Sequence, residues 1–357
     1  MAPAKRSAKS DAAVAAKAHE ALDKVADATA VTPSRRKQQQ DQTSAQPGAK
    51  LPVAVQFPIA AALSFALASL GYSIVGEVSK GELVSVMRAQ DTWGQVAVLA
   101  GWRIMELAVA WFGNMDSLDV AMMDLLSHAP SLTARQLYLL STFYSLSPKT
   151  AVAALVVDVV SAAVPFALMR PLSDIHRPSG KGANRELIDL PMQLYTAALS
   201  TGIYTVILAL SLRLVLPRIL VVYFSGLPSV EPAYSATYTA VLPVTGVLGA
   251  AASLFIFAPF ATTGKAKEDD KLGEFDPVEA TLGQTVRWNL WGYTAKTKVV
   301  IRRTAAAAFV TGVNTYLACT MTIYGIEATG AMAYAGVWVV AVLSTGLGLG
   351  LVGGGSD

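Results

Sequence analysis

The stretch "LPVAVQFPIAAALSFALASLGYSIV", Leu51 to Val75, runs for 25 residues without a charge. At about 1.5 Å rise per residue, such a run crosses a hydrocarbon core about 30 Å thick. Inside that core a helix satisfies its own backbone polar groups. Similar runs follow at Thr150–Met169, Gln193–Pro217 and Tyr234–Ala261, and two more begin at Ala305 and Ala331. They predict an all-α, polytopic integral membrane helical bundle with about six transmembrane helices, range six to eight, occupying 51–353. Composition agrees: only 15% of residues are charged and mean hydropathy is +0.46, whereas soluble domains carry about 25% charge.

Trp93–Gly113 is long enough to cross, but Arg103 and Glu106 stand at its centre. Each costs about 2.5–3.5 kcal/mol in hydrocarbon. Three residues apart, they share a helix face and can pair. The segment is left out of the six crossings. Residues 76–150 are read as a mixed membrane, interfacial and lumenal region, with amphipathic helices after Asp116 broken at Pro130.

Basic residues orient the chain. The tail 1–50 holds 9 of the 28 Lys and Arg, the loop 170–192 holds 4, and the loop 262–303 holds 8. Dense basic loops stay cytosolic. With six crossings these three segments share one side, and both termini are cytosolic. Counting Trp93–Gly113 as a seventh crossing splits them. The tail 1–50 is read as disordered or weakly helical, and 262–303 as a large cytosolic loop. No apolar stretch precedes position 50, so the first span serves as the insertion signal, and the endoplasmic reticulum or another endomembrane is the expected location.

Chemistry is sparse. Asp158 is a lone acid at mid-span, a position that usually faces a partner, water or a transported ion. Arg103 is its expected partner, with Glu106 in competition and Asn314 as a further intramembrane polar group. The loop "RPLSDIHRPSGKGANRELIDLP" gathers Asp174, His176 and Arg177, a weak acid-base group. His128 shows no carboxylate framework in the sequence. The single Cys319 excludes an internal disulfide and a cysteine-based metal site. No phosphate-binding loop, zinc-protease helix or serine-nucleophile elbow occurs, so no catalytic residue, metal or cofactor is expected. Trp288, Trp291 and Tyr293 precede Lys296, Lys298, Arg302 and Arg303, which reads as a headgroup-level segment favouring anionic lipid. The expected partners are membrane lipids and other membrane proteins, not nucleic acid. The leading functional reading is a noncatalytic structural or accessory component of an internal membrane, with the balance against an enzyme. The competing readings are a small-solute or ion transporter using Asp158 and, third, a lipid-modifying enzyme.

Overall fold

The computed structural model describes residues 52–81, 88–136, 147–177, 189–225, 230–264, 269, 280–323 and 325–354. The expectations for the tail 1–50 and for Lys181 and Arg185 lie outside the described residues. Among the described residues all regular structure is helical, apart from one isolated bridge between Phe224 and Ile326. The helices are α1 (Val53–Val78), α2 (Trp93–Phe112), α3 (Ser117–Gln136), α4 (Pro148–Met169), α5 (Leu190–Leu214), α6 (Leu216–Tyr223) and α7 (Glu231–Tyr234). Then come α8 (Tyr238–Thr262, including a π turn at Ser253–Phe257), α9 (Leu282–Trp291), α10 (Ala295–Leu317, extended by a π turn at Ala318–Thr322) and α11 (Ala328–Gly354).

Six of these helices are long and apolar enough to cross a membrane: α1, α2, α4, α5, α8 and α11. The all-α membrane bundle is therefore what the structure shows, but with a different membership from the sequence reading. α2, omitted there, is in the set. α10, counted there from Ala305, carries Arg302 and Arg303 within the same helix and falls outside it.

Side-chain contacts show how the long helices alternate. Phe57, early in α1, stacks 5.6 Å from Trp111 at the end of α2. Arg303, early in α10, reaches Asp119 in the first turn of α3 and the Phe255 carbonyl late in α8. Thr196, early in α5, shares a 2.6 Å hydroxyl bond with Ser253, also late in α8. Ser173, just past α4, donates its N–H to Asp116 just before α3. These contacts define one end of the bundle, here the His176 end. At the other end the π turn of α10 frees carbonyls: the Arg88 N–H donates to Thr322 at 3.0 Å, and Gln90 donates to Met321 at 2.9 Å. The eight long helices thus run alternately between the His176 end and the Gln90 end. The turn from α10 to α11 is tight. Gly325 adopts φ +76°, and a Cβ there would meet the Ser225 carbonyl oxygen at 2.6 Å.

The helix that restores the alternation is α3. It continues through Pro130 to Gln136, so the expected break does not occur. The first part of α3 is enclosed by other helices. It packs among α4, α8 and α10, and Val120, Met123, Asp124, Leu126 and Ser127 are all buried. Low hydropathy misleads here because an enclosed helix faces protein rather than lipid, and its polar groups can be partnered. Adding α2 alone splits the basic segments between the two ends. With α2 and α3 both counted, the start of α1, the end of α4 and the start of α10 lie at the His176 end.

Candidate functional site

Where α2, α3, α4 and α10 meet, charged side chains converge. Arg103 of α2 donates to Glu106 one turn on (2.8 Å), to Asp124 of α3 (3.2 Å) and to the Ser161 hydroxyl of α4 (2.9 Å). Glu106 and Asp124 are only 2% and 1% exposed. His128, one turn after Asp124, brings Nδ1 to 3.3 Å from Asp124 and 3.8 Å from Glu106. The Asn314 amide of α10 donates to Glu106 at 2.8 Å, and the Trp102 indole donates to the Asn314 carbonyl oxygen. Ser127 donates to Glu106 at 3.3 Å. One oxygen of Asp124, Oδ2, is buried without a hydrogen-bond partner.

Asp158 borders this group. Its carboxylate accepts from the Tyr72 hydroxyl of α1 at 2.7 Å, and Arg103 reaches only its backbone carbonyl, at 3.3 Å. The expected Asp158–Arg103 pairing is therefore not a carboxylate–guanidinium contact. The two residues share Ser161, which donates to the same carbonyl at 2.9 Å. Arg103, Glu106, His128, Asp158 and Asn314 line a cavity of about 300 Å³ that reaches Thr322, where α10 meets the Gln90 end.

A second cluster closes the His176 end. Asp116 caps α3, with Oδ1 accepting from the N–H groups of Leu118 and Asp119 at 3.0 and 2.9 Å. Its Oδ2 accepts from the Ser173 N–H at 2.8 Å and bonds His176 Nδ1 at 2.7 Å. Burial opposes charge on both groups. It is outweighed at Asp116 by hydrogen bonds from His176, Asp119 and Ser173, which hold the carboxyl well below the usual carboxylate range. At His176 it is outweighed by Asp116 and then Asp119, which raise the imidazole above its ordinary value. Arg303 binds both oxygens of Asp119 and stands 5.1 Å above the Phe255 ring. His176 thus pairs with Asp116 and not with its sequence neighbour Asp174. Asp174 and Arg177 form only a surface contact at 3.4 Å, with side chains 69% and 40% exposed.

No family model, curated protein or solved structure matches this chain.

In each cluster, Glu106/Asp124/His128 and Asp116/Asp119/His176, the ligand atoms lie within 4.8 Å of one another, the spacing a metal ion needs. Both sets already hold cationic groups. Arg103 touches two carboxylates of the first, and Arg303 and His176 engage the second. These buried clusters overturn the reading of a noncatalytic structural or accessory component. They also remove the ground for leaning against an enzyme, since that lean rested on sparse chemistry. An enclosed array of acids, imidazole and guanidinium beside a cavity is the arrangement that ion binding, transport or acid-base catalysis requires. It favours the Asp158 transporter alternative.

Sequence reasoning missed Asp124, His128, Asp116, Asp119 and Arg303. A signal existed for two of them: Asp124 and His128 stand four apart and share a helix face. The judgement that His128 lacks a carboxylate framework is corrected by Asp124 and Glu106.

Proposed function

We propose that this protein transports protons or a small monovalent cation across its membrane, with Asp158 as the loading group. The observation that carries the reading is a charge imbalance. Three carboxylates (Glu106, Asp124 and Asp158) meet one guanidinium, Arg103, and one imidazole, His128. Even with His128 protonated, the group keeps a net negative charge in a low-dielectric interior. Uncompensated buried charge is costly, so a mobile cation lowers the energy. Asp158 is the carboxylate on the cavity that Arg103 does not neutralise directly. The cavity extends from this group towards the Gln90 end, while the Asp119–Arg303 and Asp116–His176 contacts close the His176 end. Access to a central site from one side at a time is what alternating transport needs.

The positive-inside pattern supports a cytosolic His176 end, with both termini and the loop 262–303 on that side. An endoplasmic reticulum or other endomembrane location, with α1 as the insertion signal, belongs to the same reading. So do a cytosolic tail over 1–50 and association with other membrane proteins. Fluorescent tagging at the C-terminus checks the location, and a purely mitochondrial signal contradicts it. Transport is tested in proteoliposomes carrying an internal pH-, Na⁺- or K⁺-sensitive dye, each under the matching imposed gradient. Wild-type protein should dissipate one of these gradients, Asp158→Asn should not, and the surface variant Asp174→Asn should behave as wild type. Undiminished flux in Asp158→Asn, or no flux of any of the three ions in wild type, contradicts the proposal.

A further inference from the structure

Near the start of α10 a second cavity, of about 490 Å³, lies between α10 and α11. This size falls within the ~300–1,000 Å³ range of small-molecule sites. Its two ends differ in chemistry. At the mouth are Lys296, Thr297 and Tyr293. Deeper in, the walls are Val300, Leu343 and Leu347, and Gly346 and Gly350 lie along one edge. Leu343 and Leu347 are exposed, so the groove lies on the outer, lipid-facing surface of the bundle. Within it Thr304, 7% exposed, packs its hydroxyl oxygen against Gly346, without a hydrogen-bond partner. The mouth stands where the apolar spans end. Lys296 lies 5.0 Å from the Phe260 ring, two residues before the end of α8.

The neighbouring helix α9 supports the same level. It opens with a capping box between Thr281 and Gln284, and none of its residues is buried. Leu282, Val286 and Leu290, four residues apart, form an exposed apolar stripe, and Trp291 stacks under Arg302 at 5.6 Å. A short amphipathic helix with an uncovered apolar face and aromatic and basic flanks lies at the headgroup boundary.

We infer that this groove binds one anionic phospholipid. Its phosphate lies on Lys296 and the Thr297 hydroxyl, and an acyl chain lies along Val300, Gly346 and Gly350. Asp269 already takes the Ala295 N–H at 2.7 Å, so recognition of the headgroup falls to side chains rather than to the helix terminus. Charge complementarity selects the occupant, because Lys296 is the charged side chain among the residues that line the groove. The glycines decide the shape. A Cβ on Gly350 would come only 3.5 Å from Val300, so a larger side chain fits there and fills the groove. The inference does not depend on the transport reading, since none of these residues lines the central cavity.

Native mass spectrometry of the full chain in mild detergent tests it, with added phosphatidylglycerol, phosphatidylcholine or glycerol phosphate. Wild type should retain phosphatidylglycerol in preference to phosphatidylcholine, and glycerol phosphate should not compete. Lys296→Gln should weaken phosphatidylglycerol by about fivefold and leave phosphatidylcholine unchanged. Gly350→Leu should remove lipid retention while the melting temperature stays at the wild-type value. Equal retention of both lipids overturns the inference, as does retention in Gly350→Leu at wild-type strength. Displacement by glycerol phosphate would make this a phosphate site and overturn the acyl groove. If Gly350→Leu lowers the melting temperature, Leu347→Trp, at an exposed groove position, replaces it with the same two outcomes.

Discussion

Arg103→Gln should be the most destabilising single change in the central cluster. The guanidinium touches Glu106 at 2.8 Å, Asp124 at 3.2 Å and Ser161 at 2.9 Å, and its own side chain is only 14% exposed. Removing one partner of a buried ion pair costs about 3–5 kcal/mol, because the other charge is left unpaired. Here two carboxylates lose their counter-charge at once, so the loss belongs at the top of that range or beyond it. Glu106→Gln removes one negative charge from a group that already carries an excess, and Arg103 keeps Asp124. It should cost clearly less, about 1–3 kcal/mol, mainly from the altered bonds with Ser127 and Asn314. The double variant should lose less than the sum of the singles. The Arg103–Glu106 coupling should also exceed the Arg103–Asp158 coupling, because Arg103 meets Asp158 only at its backbone carbonyl. The assay is equilibrium unfolding of purified variants in mixed micelles, with a cycle for each pair. If Glu106→Gln costs as much as Arg103→Gln, the charge imbalance is not what governs this cluster, and the reasoning fails.

Three further outcomes follow from the geometry. The Asp116–His176 contact should make stability depend on pH. The raised His176 contributes fully below its unfolded value of about 6.5 and loses its contribution as pH rises through its higher folded value. The depressed Asp116 contributes above about 3.9 and loses its contribution as pH falls towards its folded value. Thermal melts from pH 5 to 9 should therefore fall on the alkaline side in wild type and fall less in His176→Gln; parallel profiles count against the latch. Gly249→Ala should destabilise by about 1–3 kcal/mol, because a Cβ there would meet the Ala197 carbonyl oxygen of α5 at 2.8 Å, whereas Gly246→Ala, with open space around it, should be neutral or gain up to about 1 kcal/mol. Unfolding of the two variants side by side decides this, and equal effects refute the close α5–α8 approach. Single cysteines introduced at Asp91 and at Asp174, with the buried Cys319 replaced by Ala, should react with an impermeant reagent from opposite sides of the membrane; labelling from the same side contradicts the alternation of the helices.

The helices legible in the sequence were those with long, nearly uncharged apolar runs. α1, α4, α5, α8 and α11 declare themselves because each is at least 20 residues long and apolar enough to cross a hydrocarbon core. By the same logic α3 was illegible. Its partners Arg303 and Ser173 lie 184 and 57 residues from Asp119 and from the capping Asp116, and local composition carries no trace of them. The Arg103–Glu106 pair was readable from its spacing of three. The Tyr72 bond to Asp158 joins residues 86 apart and was not. The His176 loop was noticed for the right residue and given the wrong partner, because Asp174 is near in sequence and Asp116 only in space. Two helices, α2 and α3, were left out together: a charged α2 looked implausible as a crossing until α3 supplied both a counter-charge for Arg103 and the returning helix.

The central claim is that the buried group around Asp158 is short of positive charge and takes up a cation. The direct measurement is cation uptake by the purified protein in detergent, by potentiometric proton titration and by calorimetry with Na⁺ and K⁺. Wild-type and Asp158→Asn chains would be compared at equal folded fraction. Wild type should bind at least one proton or monovalent cation that Asp158→Asn does not, and Arg103→Gln, where it folds, should bind more than wild type because it adds to the deficit. Identical uptake by wild type and Asp158→Asn, or no specific uptake by wild type, would contradict the claim.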